Sequence, residues 1–483
     1  MTKLLPLAAA CALLLAGCAS TEGLATQGQL RDADSLAVGK SLARSQLSTA
    51  AWPSERWWSS FGDAQLDALI DEALATSPAL DAADARTRKA IAQAGLADAA
   101  RKPTLGAGAQ VAGLQIPETL AGPEIGGDFN VANLLTLSLK YNPDFWGLDK
   151  AKWQAALGSA RATEVDAQAA RLQLASNIAR TYVALAQAFE LQDAAKAEAA
   201  RSDGLVKLNQ QRIKAGLDNT IAFNQNQSAS AAARQQAQAA QQQIDALRNA
   251  LAALVGAGPD RGLDIARPKL ATPDASAPAL LPSDLLARRA DIVAARWRVE
   301  AAQHGIDASK AAFYPTINLS AMVGLGAGNL GDLFGSDALL LNGGPALTLP
   351  IFEGGRLRNQ LMGSNADYDL AVANYNQTLL GAVREVTDAV QGARALDAQI
   401  ASTRIARDTA AKAYAMVAQR HRAGLTNQLD VLAAQKPLLQ LDQQLATLNA
   451  KRRTSTIDLD QALGGGIAIE APQLSSKNNT ASN

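Results

Sequence analysis

Two stretches of this chain, roughly Leu148 to Lys214 and Arg356 to Arg422, contain no proline and hold a helical apolar period. Leu174, Ile178, Tyr182, Leu185 and Phe189 step by three or four residues, and Val383, Val386, Val390 and Ala393 do the same. At a helical rise of about 1.5 Å per residue, each run makes a rod about 100 Å long. A compact globule cannot contain such rods, so the pattern predicts elongated, coiled-coil-like packing of helix on helix. Composition fits: aromatics are only 4%, and much of the 48% hydrophobic content is alanine set among glutamines. Small side chains and strong helix formers let long helices approach closely.

The two rods belong to a chain written twice. QRIKAGLDNTIAFN (Gln211 to Asn224) is echoed by QRHRAGLTNQLDVL (Gln419 to Leu432), and AQAGLADAARKPTL by AQHGIDASKAAFYPTI. LTLSLKYNPDFWG and ALTLPIFEGG form a third pair in the same order. Such a long period excludes a solenoid and indicates an internal duplication. Each Ala-Gly-Leu phrase falls where a rod must stop and reverse. Gly216 and Gly424 suit the left-handed position after a helix. Arg212, Lys214, Arg420 and Arg422 complement its negative end. Both phrases therefore mark the tips of helical hairpins.

Ahead of each rod the period changes. Asp63 to Arg101 reads as one helix with Leu66, Leu69, Ile70 and Leu74 on one face and Asp63 as cap; Ser283 is expected to cap its counterpart, ending near Ala312. Period two then takes over in Leu135, Leu137, Leu139 and Tyr141, in Ile317 to Val323, and in Leu347, Leu349 and Ile351, with Thr104 to Ile116 a glycine-interrupted fourth segment. Gly- and Pro-rich loops (Pro117 to Asn130 and Gly324 to Gly344) separate the members of each pair, giving four strands in two hairpins.

The reading divides the chain into a leader (1–17), an N-terminal segment (18–62) and a first repeat (63–256), whose strands lie at about 104–141 and tip at 212–220. A Pro-rich connector (257–282) follows. The second repeat (283–465) has strands at about 316–352 and a tip at 420–430, and a tail (466–483) closes the chain. The fold class is mainly α with β, long α-helical hairpins and two strand hairpins in an internal duplication.

The N-terminus is an address. Lys3, the apolar run Leu4 to Ala16 and the small residues before Cys18 form a secretory signal too short to span a bilayer. Leu-Ala-Gly-Cys (15–18) matches the bacterial lipobox, which implies cleavage before Cys18 and its acylation. Cys11 falls in the leader, so Cys18 is the only mature thiol and no internal disulfide forms. Several acyl chains anchor stably where one does not, at about 0.8 kcal/mol per buried methylene. Ala19 resembles the sorting pattern of outer-membrane lipoproteins.

An alternating strand with one apolar face suits a barrel wall between lipid and water. Val131 to Tyr141 has the roughly 9–11 residues that a tilted strand needs to cross. Four strands cannot close a barrel, however, and an open edge in hydrocarbon costs several kcal/mol per unpaired group. If these segments lie in the membrane, several copies must therefore share one barrel. Tyr141, Phe145, Trp146, Phe313, Tyr314 and Phe352 sit at the strand–helix junctions, either as a membrane-interface girdle or as filling of the seam between sheet and helices.

WWSSFGDAQLDALIDEALATSP, LPSDLLARRADIVAARWRVEAAQHGIDASKAAFYPTINLS and LPIFEGGRLR resemble the outer-membrane efflux protein family, the TolC type, over about residues 50 to 465. The lipobox brings the chain nearest the lipoprotein, NodT-like branch. The resemblance implies a homotrimer whose strands pool into a twelve-stranded barrel. It also implies a tunnel of hairpins serving as the passive exit duct of a tripartite pump, joined by a periplasmic adaptor to an inner-membrane transporter of the resistance-nodulation-division type. Arg212, Gly216 and Leu217, with Arg420, Gly424 and Leu425, match the adaptor-docking tips, although caps and turns alone would also place them there. Asp430 matches the carboxylate of the periplasmic gate, where a ring of three would favour cations. The neighbouring gate positions are not acidic here: Ala433 follows one turn on, and Ala222 is the first-repeat counterpart.

Other classes fit less well. The formal net charge is zero, which gives no electrostatic case for nucleic acid. The only histidines, His304 and His421, have no partner ligand at metal spacing, and no phosphate-loop lysine follows the glycines of Leu463 to Ile467, so neither an enzyme nor a cofactor beyond lipid on Cys18 is expected. The outer-membrane duct of a type I secretion system is the alternative reading of the same duct. A non-conducting coiled-coil scaffold lipoprotein leaves the strands unexplained, and an adaptor has one hairpin where this chain has two.

Overall fold

The computed structural model describes residues 23–36, 39–42, 52–115, 117–122, 124, 127–273 and 282–466. The leader, Cys18, connector residues 274–281 and tail residues 467–483 lie outside them. The first repeat comprises α1 (Ala64–Thr76), α2 (Pro78–Ala99), β1 (Thr104–Gln115), β2 (Phe129–Tyr141), α3 (Leu148–Lys214) and α4 (Thr220–Leu254). The second comprises α5 (Ala290–Ala311), β3 (Thr316–Ala327), β4 (Leu339–Thr348), α6 (Arg356–Arg422) and α7 (Gln428–Ala462). The duplication extends to element length: α2 and α5 have 22 residues each, α3 and α6 have 67, and α4 and α7 have 35.

The expected helix over Asp63 to Arg101 is two helices. Asp63 does cap α1, its carboxylate accepting from the Gln65 N–H at 3.0 Å. Pro78 then breaks the run, because the residue before a proline is driven out of the helical region, and Ser77 is extended at ψ 122°. Ser283 does not cap α5 either. Pro282–Ala287 forms a tight 3-10 turn, and α5 starts after an extended Arg289. That guanidinium is buried, pairing with Asp291 and Glu385 and donating to the Ala462 carbonyl at 3.1 Å, so tertiary contacts fix the start. The connector is not wholly non-helical, since Pro259–Leu263 forms a short turn with proline at its first positions. The loops are also shorter than expected: β3 runs on to Ala327, and β4 takes in Gly343, Gly344 and Pro345 while excluding Ile351.

The two larger buried clusters centre on α3 and α6. Trp57, Trp58 and Phe61 pack with Leu66, Leu69 and Ile70 of α1 and with Leu174, Ile178, Tyr182 and Leu185 of α3. Ile292 and Val299 of α5 pack with Val372, Leu379, Val386 and Val390 of α6. Burying each such side chain contributes about 1.5–3 kcal/mol. The connector returns onto the first core, where its Arg267 and Arg248 of α4 lie over Phe189 with guanidinium carbons 5.5 and 5.6 Å from the ring centre.

The last helix ends on three consecutive glycines. Gly464, Gly465 and Gly466 all have positive φ, and a Cβ on Gly464 would collide with the Arg288 carbonyl. Upstream residues run along α6. Backbone N–H groups of Gln27 and Gly28 donate to Asp369 Oδ1 at 2.9 and 2.7 Å, and that of Arg31 donates to Asn376 Oδ1 at 2.8 Å.

Asp460, near the end of α7, occupies the place of the fully buried Ala252 in α4. Burial pushes its carboxyl up to about 7 from an ordinary 3.8. The folded chain thus holds this proton longer than the unfolded one, and stability present near pH 4 is lost as pH rises through 7. Asp460→Asn is expected to leave the melting temperature unchanged near pH 4 and to raise it at pH 8, with a gain of at most about 4 kcal/mol. Melting followed by circular dichroism at both pH values checks this; equal gains at both would contradict it.

Candidate functional site

The four strands form one antiparallel sheet in the order β1-β2-β3-β4, so β2–β3 pairing joins the two repeats. The register sorts side chains by face. Leu137 pairs with Ala107 and Val323, Leu139 with Leu105 and Ala321, and Val323 with Leu341, so these residues share one side of the sheet. Leu105, Leu137, Val323 and Leu341 are all exposed there. On the opposite side Ser138 pairs with Gly106 and Met322, and Lys140 with Thr104 and Ser320. One face is therefore apolar and uncovered, while the other is polar or small apart from Leu134, Met322 and Leu340. β1 and β4 leave two open edges, and Pro345 on β4 is tolerated because an edge strand can lack a donor.

At the junctions, Trp146 and Tyr314 stack with ring centres 5.0 Å apart and planes at 15°, linking the end of the β2 segment to the start of β3. Both remain half exposed, Phe145 is exposed, Phe352 is 87% exposed, and Tyr141 and Phe313 are half buried. The pairing of Trp146 with Tyr314 was not legible, because it depends on which strands become neighbours.

At the opposite end, α3 and α6 stop through the same motif. Gly216 and Gly424 have φ of 72° and 73°. Leu217 N–H donates back to the Arg212 carbonyl at 2.8 Å, and Leu425 N–H to that of Arg420 at 2.9 Å. Asn219 and Asn427 then cap the return helices. The turns push Leu217 and Leu425 outward, 68% and 69% exposed, beside basic residues of the last helical turns. The tips differ in their locks. Arg212 reaches Asp218 at 3.2 Å, whereas His421 Nδ1 lies 3.0 Å from the Thr426 carbonyl.

Asp430 is exposed at the third position of α7, in a capping box. Its N–H donates to Asn427 Oδ1 at 3.0 Å, while its carboxylate accepts from the Thr426 hydroxyl and the Asn427 N–H. In α4 the same place holds Ala222, so the second tip alone has this box. Among the described residues no cluster of His, Cys, Asp and Glu is arranged to hold a metal ion, and no helix is long and apolar enough to cross a membrane.

A sheet with one uncovered apolar face, carried on helical hairpins about 100 Å long, is the wall of a membrane duct with a long extramembrane extension. The chain belongs to the outer membrane efflux protein family, whose model matches residues 69–257 and 281–465. It is 39% identical over 366 residues to the fusaric acid resistance protein FusA of Burkholderia cepacia, covering 74% of this chain and 68% of FusA. It is 32% identical over 487 residues to the pyoverdine export outer membrane protein OpmQ of Pseudomonas aeruginosa, covering 98% and 99%. The crystal structure of VceC from Vibrio cholerae superposes with a TM-score of 0.79 at 37% identity, covering 86% of this chain and all of VceC. The protein is an outer-membrane component of an efflux pump, extending into the periplasm.

Proposed function

We propose that three copies of this chain close one twelve-stranded barrel and that their hairpins form the periplasmic tunnel through which a tripartite pump discharges. The observation that carries this reading is the four-stranded sheet with an apolar face and two open edges, because an unpaired edge in hydrocarbon is costly and only further copies can cover it. The apolar face meets lipid, and the face bearing Thr136, Ser138 and Lys140 lines the water-filled lumen. Flow is passive, energy comes from the inner-membrane transporter of resistance-nodulation-division type, and the chain performs no catalysis and needs no cofactor. Exposed Leu217 and Leu425, with Arg212 and Arg420, give the tips the mixed apolar and basic surface on which a periplasmic adaptor docks. The relatives' fusaric acid resistance and pyoverdine export support a small organic cargo.

Lipid on Cys18 fits the same frame. Gly23 lies beside Arg358 at the start of α6. The residues between Cys18 and Gly23 span at most about 17 Å when extended, which keeps the acyl chains near the strand–helix junction.

Three Asp430 carboxylates at the tunnel mouth favour cations. Asparagine at this position removes the charge but retains an acceptor for the cap, so Asp430→Asn separates gate from cap. In planar bilayers the native protein is expected to conduct with a cation preference. Asp430→Asn is expected to weaken that preference and raise conductance while melting stays unchanged. Unaltered selectivity would place the gate elsewhere, and a native protein that never conducts would refute the duct.

A further inference from the structure

The two hairpins are joined by polar ties between α3 and α7, running from Arg180–Asp458 through Arg453–Glu190 to Arg201 nearest the tips. Arg201 stands apart from the others. It is only 7% exposed, and its Nε and Nη2 hold Glu198 in a bidentate pair at 2.7 and 2.6 Å. Its remaining nitrogen, Nη1, donates across to the backbone carbonyl of Leu432 in the second turn of α7, at 3.3 Å. Leu432 is itself buried and rests against α3 at Gly204, where a Cβ would come within 3.6 Å of its methyl group.

Just beyond this contact α7 carries Pro437, inside the helix. Proline supplies no N–H to the Ala433 carbonyl and crowds it, which weakens the helix at one place. The residue in the same place of α4 is Ala229, a strong helix former, so only the second return helix has this break. The first nine residues of α7 thus form a short arm that carries Asp430, with a proline behind it and Arg201 holding its backbone.

We propose that Arg201 is a positioning residue for the gate: by gripping the Leu432 carbonyl it holds the Gln428–Lys436 arm against α3, and release of that grip lets the arm swing about Pro437 and carry Asp430 off the tunnel axis. This rests on the duct reading and on Asp430 facing the lumen. Glu198 pre-orients the grip, and the hydrogen bonds from Arg201 hold its carboxyl below the ordinary carboxylate range. Each hairpin also has an internal tie, Asp203–Arg234 in the first and Arg407–Asp442 in the second, and the latter lies behind Pro437, so it holds the rest of the hairpin when the arm is freed.

The test uses the full acylated protein purified from outer membranes, with bilayer conductance and trimer melting measured in parallel. Arg201→Gln is expected to raise conductance severalfold with little change in melting, and adding Pro437→Ala is expected to return it toward native. Because the chain's own cysteines are Cys11 and Cys18 alone, a Gly204→Cys, Leu432→Cys pair gives an independent lock. Oxidation is expected to lower conductance below native, and a reductant to restore it. Native conductance in Arg201→Gln, with Asp430→Asn still altered, overturns the inference and leaves the duct intact. A native protein that does not conduct removes both. Should Arg201→Gln fail to assemble, equal conductance of the cysteine pair before and after reduction overturns the proposal.

Discussion

Arginine at Leu137 is expected to remove the protein from the outer membrane, whereas arginine at the adjacent Thr136 is not. The two residues are neighbours in sequence but occupy opposite sides of the sheet. Leu137 lies between Ala107 and Val323, and Thr136 between Gly108 and Gly324. A cation on the lipid side near mid-membrane costs about 2–4 kcal/mol per copy, and three copies multiply it. On the lumen side the same cation stays hydrated and changes only what passes. Fractionation of outer membranes, with the trimer followed on unheated gels, separates the cases. Equal loss or equal retention of both variants would contradict the assignment of faces.

The second large effect lies at the other end. Replacing Gly216 and Gly424 together by valine forces a β-branched residue into φ near +70° at both tips, at about 1–2 kcal/mol or more each. The strain is local, since a Cβ at either position meets no neighbouring atom within 4 Å. The hairpins therefore remain paired, but the turns that expose Leu217 and Leu425 are reshaped. Trimers are expected to persist in the membrane while drug resistance, scored in cells carrying the complete pump, falls to that of a strain lacking the duct. Full resistance would remove the tips from adaptor docking.

Much of this architecture could be read in the chain because strong local signals coincide with long-range structure. The ends of α3 and α6 fall at Lys214 and Arg422, where a long proline-free period meets the Ala-Gly-Leu phrase. Asp63 caps α1 because its short carboxylate reaches the free Gln65 N–H of the first turn. Where local signals compete, the sequence misleads. Ser283 is a good cap by type, yet α5 waits for Arg289, whose partners Glu385 and Ala462 come from distant helices. Ser77–Pro78 interrupts a helix whose apolar face continues beyond it, so the period conceals the break. Gly343, Gly344 and Pro345 carry turn chemistry but lie in a strand because β3 pairs with them. At the candidate site, Asp430 was visible as an acid after a tip. Its capping box with Asn427, and the grip of Arg201 on Leu432, need the fold to bring the groups together.

One chain, with four strands, supplies too little sheet to seal a pore. Native mass spectrometry of the protein gently extracted from outer membranes, run beside single-channel recording of the same sample, tests it most directly. A species of three chains that conducts, and loses conductance when it dissociates, is expected. A single chain that conducts by itself would contradict it.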